Sequence, residues 1–457
     1  MFYYYQESPL FERLRQILES ESAPLLLFLL VAALGLMALA IFFRAYRIVL
    51  MALLIGQMFS AIGGAGQGIF TLTRFGAIFA LALIGFPGVT AFGPGQLMML
   101  AYAVYVLLLT GHSEFPMWSL QFSGAFLFLV VGVAGATTRY VTDIRKLQNA
   151  LGVVVLAALI WTAVNAVAGQ SSEIRSTGMG RYAGVFGGTG SMAGIGGLLP
   201  PFLLWGFLCP WRRIYRYASL AGLVVLLPML VLVGQRIGLF AAIVGLAPLV
   251  WFRLTVKRLL GSVFALAMAG VLSAVIVSAA PRQTQEFLLN KYIHRVGYLS
   301  GRDVRWQTML AICMQDPILG HGAGTGDAQA TVRFGSATHN AYISMFYDSG
   351  VIALGLWVGT ALYAILRSFA FVVGRAPPET REIARLLLGC LLALSSEAFF
   401  ESGLNSPTNL NAGLFLLCVT MVECIVKLHR RAAEGIEGYG WVGAPQSGYA
   451  PRPLAAR

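Results

Sequence analysis

Charge is what this chain has least of. Only 11% of its 457 residues are charged, against roughly a quarter in soluble globular domains, and the mean hydropathy is +0.76. Those values exclude a string of soluble domains and define a polytopic membrane protein. Acids are scarcest, at 19 Asp and Glu against 32 Lys and Arg. They are scattered with no Asp-x-Asp pair, so a divalent cation bridging a nucleotide sugar has no obvious ligands. The five cysteines show no Cys-x-x-Cys spacing, which implies neither a disulfide framework nor a zinc site. Gly187-Gly188-Thr189-Gly190-Ser191 lacks the lysine of a phosphate-binding P-loop and reads as a turn. No internal repeat is evident, which argues against a transporter built from two related halves. The start, Met1-Phe2-Tyr3-Tyr4-Tyr5 with acids following, lacks the basic opening and cleavage site of a signal peptide, so the first span is expected to remain as an anchor.

What the chain has instead is a succession of apolar runs near the roughly 20 residues that cross a bilayer as a helix. Spans are expected near 23–43, 48–66, 70–88, 93–111, 118–137, 149–168, 191–209, 217–234, 237–252, 259–280, 340–366, 385–400 and 409–427. The fold class is therefore all-α, a polytopic transmembrane bundle of roughly 12 or 13 spans. Residues 1–22 mix charges with Leu10, Leu14, Ile17 and Leu18 and predict an amphipathic surface segment. The membrane domain is expected over 23–428, and the Gly-, Pro- and Ala-rich 434–457 as a disordered tail. The net charge of +13 sits in short clusters between apolar runs, such as Arg139/Arg145/Lys146, Arg212/Arg213/Arg216 and Lys427/His429/Arg430/Arg431. That distribution marks cytoplasmic connections rather than a nucleic-acid surface. The alternation places the long polar interval 281–338 outside, with short helices of its own, and the C-terminus inside. Arg44 and Arg47 would put the N-terminus outside, whereas an even span count would put it inside.

Three residues stand out chemically. Arg236, in Gly234-Gln235-Arg236-Ile237-Gly238 between two apolar runs, is an arginine at the edge of hydrocarbon, a functional candidate or else an interfacial side chain reaching for headgroups. Arg302 follows Ser300-Gly301 at a predicted helix start, with Asp303 beside it. A cation there opposes the helix dipole and suits an anionic ligand shared with free backbone N–H groups; pairing with Asp303 is the plainer alternative. His339, one of five histidines, closes the long loop. Its imidazole can take a proton from a hydroxyl near neutral pH without a metal, and Asn340 could orient the ring or bind substrate. Glu173, Asp303, Asp327, Asp348 and Glu401 are further external carboxylates.

The order of these motifs resembles that of the O-antigen ligase and polymerase superfamily. Gly234-Gln235-Arg236 looks like its arginine element at the head of a span. Ser300-Gly301-Arg302, Trp306, Pro317-Ile318-Leu319-Gly320, the Gly-x-Gly turn, His339-Asn340 and Gly350 resemble its loop pattern. Arg181-Tyr182-Ala183-Gly184-Val185-Phe186 is similar to an Arg-x-x-Gly-x-Phe element, although Gly187-Gly188-Thr189-Gly190-Ser191 replaces the Asn-Pro-Asn that usually follows. The resemblance implies an inverting transfer of a glycan from undecaprenyl pyrophosphate to a glycan or lipid-linked hydroxyl, with no cofactor or metal, at the outer face of a bacterial inner membrane. Arg236 and Arg302 would bind the pyrophosphate and His339 would be the base, with Arg181, Asn340 and Asp303 as accessory candidates. Partners would be the lipid-linked donor, the acceptor, the bilayer and other polysaccharide-assembly proteins. The rival reading is a transporter or flippase of lipid-linked saccharides, whose arginines would line a path.

Overall fold

The computed structural model describes residues 45–60, 62, 65–167, 182, 184–186, 189–209, 211–252, 267, 270–271, 274–275, 277–279, 282–290 and 302–434. The segments expected at 1–22 and 23–43, the tail expected at 434–457 except Glu434, most of the span expected at 259–280, and residues 291–301 of the long loop lie outside the described residues, as does Arg181. Among the described residues the chain is all-α with no strand. The helices are α1 (Tyr46–Phe59), α2 (Ala65–Gly85), α3 (Pro94–Leu108), α4 (Pro116–Val130, extended by a π turn to Gly135 and a helical turn to Tyr140) and α5 (Ile144–Val167). There follow α6 (Thr189–Leu198), α7 (Pro200–Leu208), α8 (Arg213–Val233), α9 (Arg236–Trp251), α10 (Arg282–Leu289), α11 (Arg302–Cys313), α12 (Gly326–Phe334), α13 (Ala341–Val373), α14 (Pro378–Ala398) and α15 (Leu410–Ala433).

Eight helical segments among the described residues are long and apolar enough to cross a membrane, and α1 and α9 are shorter apolar helices. Their positions follow the expected spans closely. The breaks are made by residues that end or start helices: Pro94, Pro116 and Pro378 each stand at a helix's first positions, where the missing N–H costs nothing. Gly234, at φ 67°, closes α8.

Contacts at the two ends give the direction of each helix. At one end Tyr46 Oη meets Thr137 Oγ1 at 2.7 Å, Arg139 donates to the Ile84 carbonyl at 3.3 Å, and Glu423 accepts from Gly95 N at 2.6 Å. This end carries Arg47, Arg139, Arg216 and Lys427, the basic connections read from the sequence. The opposite end carries the 302–340 loop, and we call it the loop end. Small residues set the close packing between: Gly245 of α9 lies against Gly389 and Ala393 of α14, and Gly238 against Gly197 and Ala193 of α6. Such residues let helix backbones approach where lipid offers no hydrophobic drive to pair. Trp357 of α13, fully buried, stacks on Phe415 of α15 at 4.9 Å and meets Tyr102 of α3 edge-on at 5.1 Å, contacts worth about 0.5–1.5 kcal/mol each beyond their area.

One feature was not visible as a span boundary. The long helix α13 is broken at Ser349 and Gly350, the latter at φ 70° and ψ −173°. The break exposes the carbonyls of Tyr347 and Asp348, which accept from His321 N and Gly322 N at 2.8 Å each, while Val351 N donates to Pro317 O at 2.8 Å. A Cβ at Gly350 would run into the Ile318 carbonyl, and one at Gly320 would stand 2.6 Å from Ser349 N. The Pro317–Gly320 turn and Gly350 therefore form one tight joint, which explains why both belong to the same sequence pattern.

Candidate functional site

The site begins with the end of α14. The last carbonyls of any helix have no partner inside it and carry partial negative charge. Here the loop supplies the donors: Tyr342 Oη donates to Ser395 O at 3.0 Å, Asn340 Nδ2 to Phe399 O at 3.1 Å, and Arg302 Nη1 to Phe400 O at 2.8 Å. The next residue, Glu401, completes the cluster. Its Oε2 lies 3.0 Å from His339 Nδ1 and its Oε1 lies 3.5 Å from Arg302 Nη2. Arg302, His339 and Glu401 are thus gathered on one carboxylate, with side chains 20%, 31% and 21% exposed. They are shielded enough to hold geometry and open enough to be reached.

The local backbone explains how His339 arrives there. It is the one non-glycine residue with positive φ among those described, at 50°, a conformation L side chains adopt rarely and often at functional positions. This kink turns the imidazole toward Glu401 while Asn340 takes an extended conformation and caps α13, its Oδ1 accepting from Ile343 N at 3.0 Å. The approach is clamped on both sides. Thr338 N donates to Asp327 Oδ1 at 3.0 Å, Trp306 Nε1 to Thr338 O at 3.0 Å, and Arg305 Nη1 to Ala337 O at 3.1 Å. Beneath them Met309, Cys313, Ala330, Ile343 and Tyr347 form a small apolar core of the loop's own. Burial there, with nearby Asp348 adding to it, pushes the Cys313 thiol up to about 12.

The loop is also pinned to the α3–α4 connection and to the first turn of α4. His112 Nε2 pairs with Asp316 Oδ2 at 2.9 Å, and that hydrogen bond holds the Asp316 carboxyl below the ordinary carboxylate range. Trp118 Nε1 donates to Gly324 O at 3.1 Å and Ser119 Oγ to Ala323 O at 3.0 Å.

Arg236 is the first residue of α9 and is half-buried. Its neighbours tie it to the same end: Gln235 Nε2 donates to Thr189 Oγ1 at 3.1 Å, and Tyr182 N to Leu232 O at 3.3 Å. α9 and α14 run antiparallel. Gly245 faces residues 389–393 and Gly238 packs on Ala193, while a Cβ at the adjacent Gly194 would lie 2.9 Å from Glu397 Oε1. Arg236 therefore sits level with the turn that carries Glu401. Val185 and Phe186 dock alongside, Val185 N donating to Asn165 Oδ1 at 3.1 Å and Phe186 stacking on Trp161 at 6.0 Å.

Of the sequence candidates, Arg302, His339 and Asn340 are brought together, Arg236 is placed at the same end, and Arg181 lies outside the described residues. Asp303 is exposed on the first turn of α11, and the carboxylate facing Arg302 is Glu401 instead. Asp327 and Asp348 clamp the loop, Asp348 accepting from Gly326 N at 2.7 Å. Glu401 was only one external carboxylate among several in the sequence; its contacts reach back 62 residues to His339 and 99 to Arg302 and left no local signal. Among the described residues no three His, Cys, Asp or Glu side chains group so as to hold a metal ion.

An all-α bundle with membrane-spanning helices, holding a histidine, a carboxylate and an arginine at one end, defines a polytopic membrane protein with an end-on polar site. Residues 221–358 match the family model for O-antigen ligase, and this match supports the superfamily that the motifs resemble. The matched segment contains Arg236, Arg302 and His339 and ends before Glu401. The family suggests a role in glycan ligation or polymerisation. No curated protein matches the chain.

Proposed function

We propose that the chain is an inverting glycosyltransferase that moves a glycan from a polyprenyl diphosphate, undecaprenyl pyrophosphate in bacteria, to a glycan or lipid-linked hydroxyl. The observation that carries this reading is the His339–Glu401–Arg302 cluster. Glu401 accepts from Nδ1–H of His339, which leaves Nε2 with its lone pair for the acceptor. Nε2 takes the acceptor's proton as the hydroxyl oxygen forms a bond to the anomeric carbon. The bond from that carbon to the diphosphate oxygen breaks, and its electron pair leaves on the diphosphate. Attack opposite the leaving group inverts the configuration.

Arg302 meets the negative charge that develops on the leaving group. Its Nη1 and Nη2 are fixed by Phe400 O and Glu401, so the guanidinium is oriented before substrate arrives and need not reorganise during the reaction. Arg236, at the N-terminus of α9, brings a second cation together with the positive end of the helix dipole. Asn340 holds the backbone that aims His339. In this scheme the two guanidiniums do the work a metal does elsewhere. The site faces the periplasm, and the C-terminus lies in the cytoplasm of an inner-membrane protein.

The test uses purified full-length protein in detergent with EDTA and undecaprenyl-pyrophosphate-linked glycan, wild type against His339→Ala. A ladder of longer carrier-linked chains from wild type alone supports polymerisation. Transfer only when an outside acceptor is added supports ligation. Movement of intact lipid-linked sugar across vesicles, with neither product formed, would overturn the proposal in favour of transport.

A further inference from the structure

We propose that Arg74 forms a second anion site, one that takes the phosphate of a membrane lipid at the side of the bundle. The proposal does not depend on the glycosyl-transfer reading. Arg74 lies in the apolar span Gly68–Ala91, six residues past Gly68 and so about 9 Å along the helix axis. A guanidinium at that depth is expensive unless something compensates its charge. Its compensation in the protein is incomplete. Nη1 donates to Thr408 O at 3.2 Å, and the guanidinium lies 5.3 Å from the ring centre of Phe75. Nε is buried and has no hydrogen-bond partner among the described residues. Among the described residues no carboxylate forms an ion pair with Arg74.

The surroundings are polar inward and apolar outward. Inward, Gln57 of α1 is 2% exposed and donates to Pro407 O at 3.4 Å. The hydroxyls of Ser406 and Thr408 meet at 2.9 Å in the turn that joins α14 to α15. Outward, Leu72, Phe75 and Phe79 are exposed on α2, at 37%, 36% and 54%, the kind of surface that faces acyl chains. A cation with no carboxylate partner among the described residues, beside a hydroxyl pair with one O–H left to donate and at the edge of a lipid-facing stripe, suits a phosphate anchored by its own tails in the bilayer. Two sources share this chemistry: the headgroup of an anionic phospholipid, and the diphosphate of a polyprenyl carrier.

The test compares the full chain with Arg74→Gln, which keeps an N–H donor for Thr408 O while removing the charge. Native mass spectrometry would count phosphatidylglycerol, undecaprenyl diphosphate and uncharged diacylglycerol bound to each, with thermal melting as the check on folding. A loss of about tenfold or more in phosphatidylglycerol alone supports the site with a headgroup as its ligand. The same loss confined to undecaprenyl diphosphate supports it with the carrier as ligand. Unchanged binding of both overturns the proposal and leaves Arg74 as a tie to Thr408. If the variant melts early, photoreactive phosphatidylglycerol and photoreactive undecaprenyl diphosphate on wild-type protein decide. Crosslinks from either to residues 68–85 or 402–410 support the site, and crosslinks from both confined elsewhere overturn it.

Discussion

Replacing Glu401 by glutamine is the sharpest perturbation of the site, because one carboxylate serves both His339 and Arg302. Glutamine keeps the shape and an acceptor but removes the charge. The His339 Nδ1–Glu401 Oε2 contact is 3.0 Å, and a hydrogen bond to a charged group contributes about 1.5–3 kcal/mol. At about 1.36 kcal/mol per tenfold, losing that support as the imidazole becomes charged should cost roughly 10- to 150-fold in kcat. The Arg302 contact works the other way. At 3.5 Å, with both side chains about one-fifth exposed, it draws part of the guanidinium's charge away from an incoming diphosphate. The variant should therefore bind donor as well as wild type or better, so that kcat falls while KM holds or drops.

His339→Ala should lose about 10²–10⁴-fold, the usual worth of a general base. The double variant should be no slower than His339→Ala, since Glu401 acts through the ring and has nothing left to act on. The assay is the initial rate of carrier-linked glycan conversion over a range of donor concentrations. An E401Q rate within threefold of wild type would refute the reasoning, as would losses that multiply in the double variant.

Arg302→Lys keeps the charge but cannot reach Phe400 O and Glu401 with a planar fork, and should lower kcat/KM by about 10-fold or more in the same assay. Gly350→Ala must place a Cβ against Ile318 O at φ 70°; at about 1–3 kcal/mol for the backbone alone, it should lower the melting temperature and open the 316–325 turn to protease. Cys313, fully buried with its thiol pushed up to about 12, should resist maleimide at pH 8 in folded protein and react on unfolding. Asp316, held below its ordinary range by His112, contributes to the loop's anchorage above the unfolded carboxylate range and loses that contribution as pH falls through the lower folded value. Hydrogen exchange at Leu319, whose N–H donates to Asp316 Oδ1 at 3.3 Å, should speed up in that acid window, and His112→Ala should remove the step.

The sequence made the membrane architecture legible because hydropathy acts locally: runs such as 149–168 and 409–427 need no partner to be recognised, and α5 and α15 appear where they were expected. Arg302 and His339 were legible for a related reason, being polar residues at junctions where apolar runs begin or end. Glu401 was not. It follows α14 as one acid among several at helix ends, and its role is set by contacts with Arg302 and His339 that no local pattern encodes. Arg74 was overlooked because a single arginine inside 70–88 barely lowers the hydropathy of that run. The break in α13 escaped for the same reason, since Ser349-Gly350 interrupts hydrogen bonding without interrupting apolarity.

That break bears on how precisely the site is held. Side chains borne on a long loop would by themselves be too mobile to orient an imidazole within a fraction of an ångström, which catalysis by positioning requires. Here the loop is fixed at two separate places. At one, residues 316–323 are bonded to the carbonyls freed at Gly350, to His112 in the α3–α4 connection and to Ser119 of α4. At the other, Arg302, Asn340 and Tyr342 donate to the end of α14. His339 lies between these anchorages, on the residue whose backbone is strained. Loosening the first should therefore harm the chemistry through the second: Gly350→Ala, more than 10 residues from His339 in sequence, should lower kcat with little change in donor KM. A variant that lost stability but kept wild-type kcat at permissive temperature would show that the α14 anchorage alone suffices.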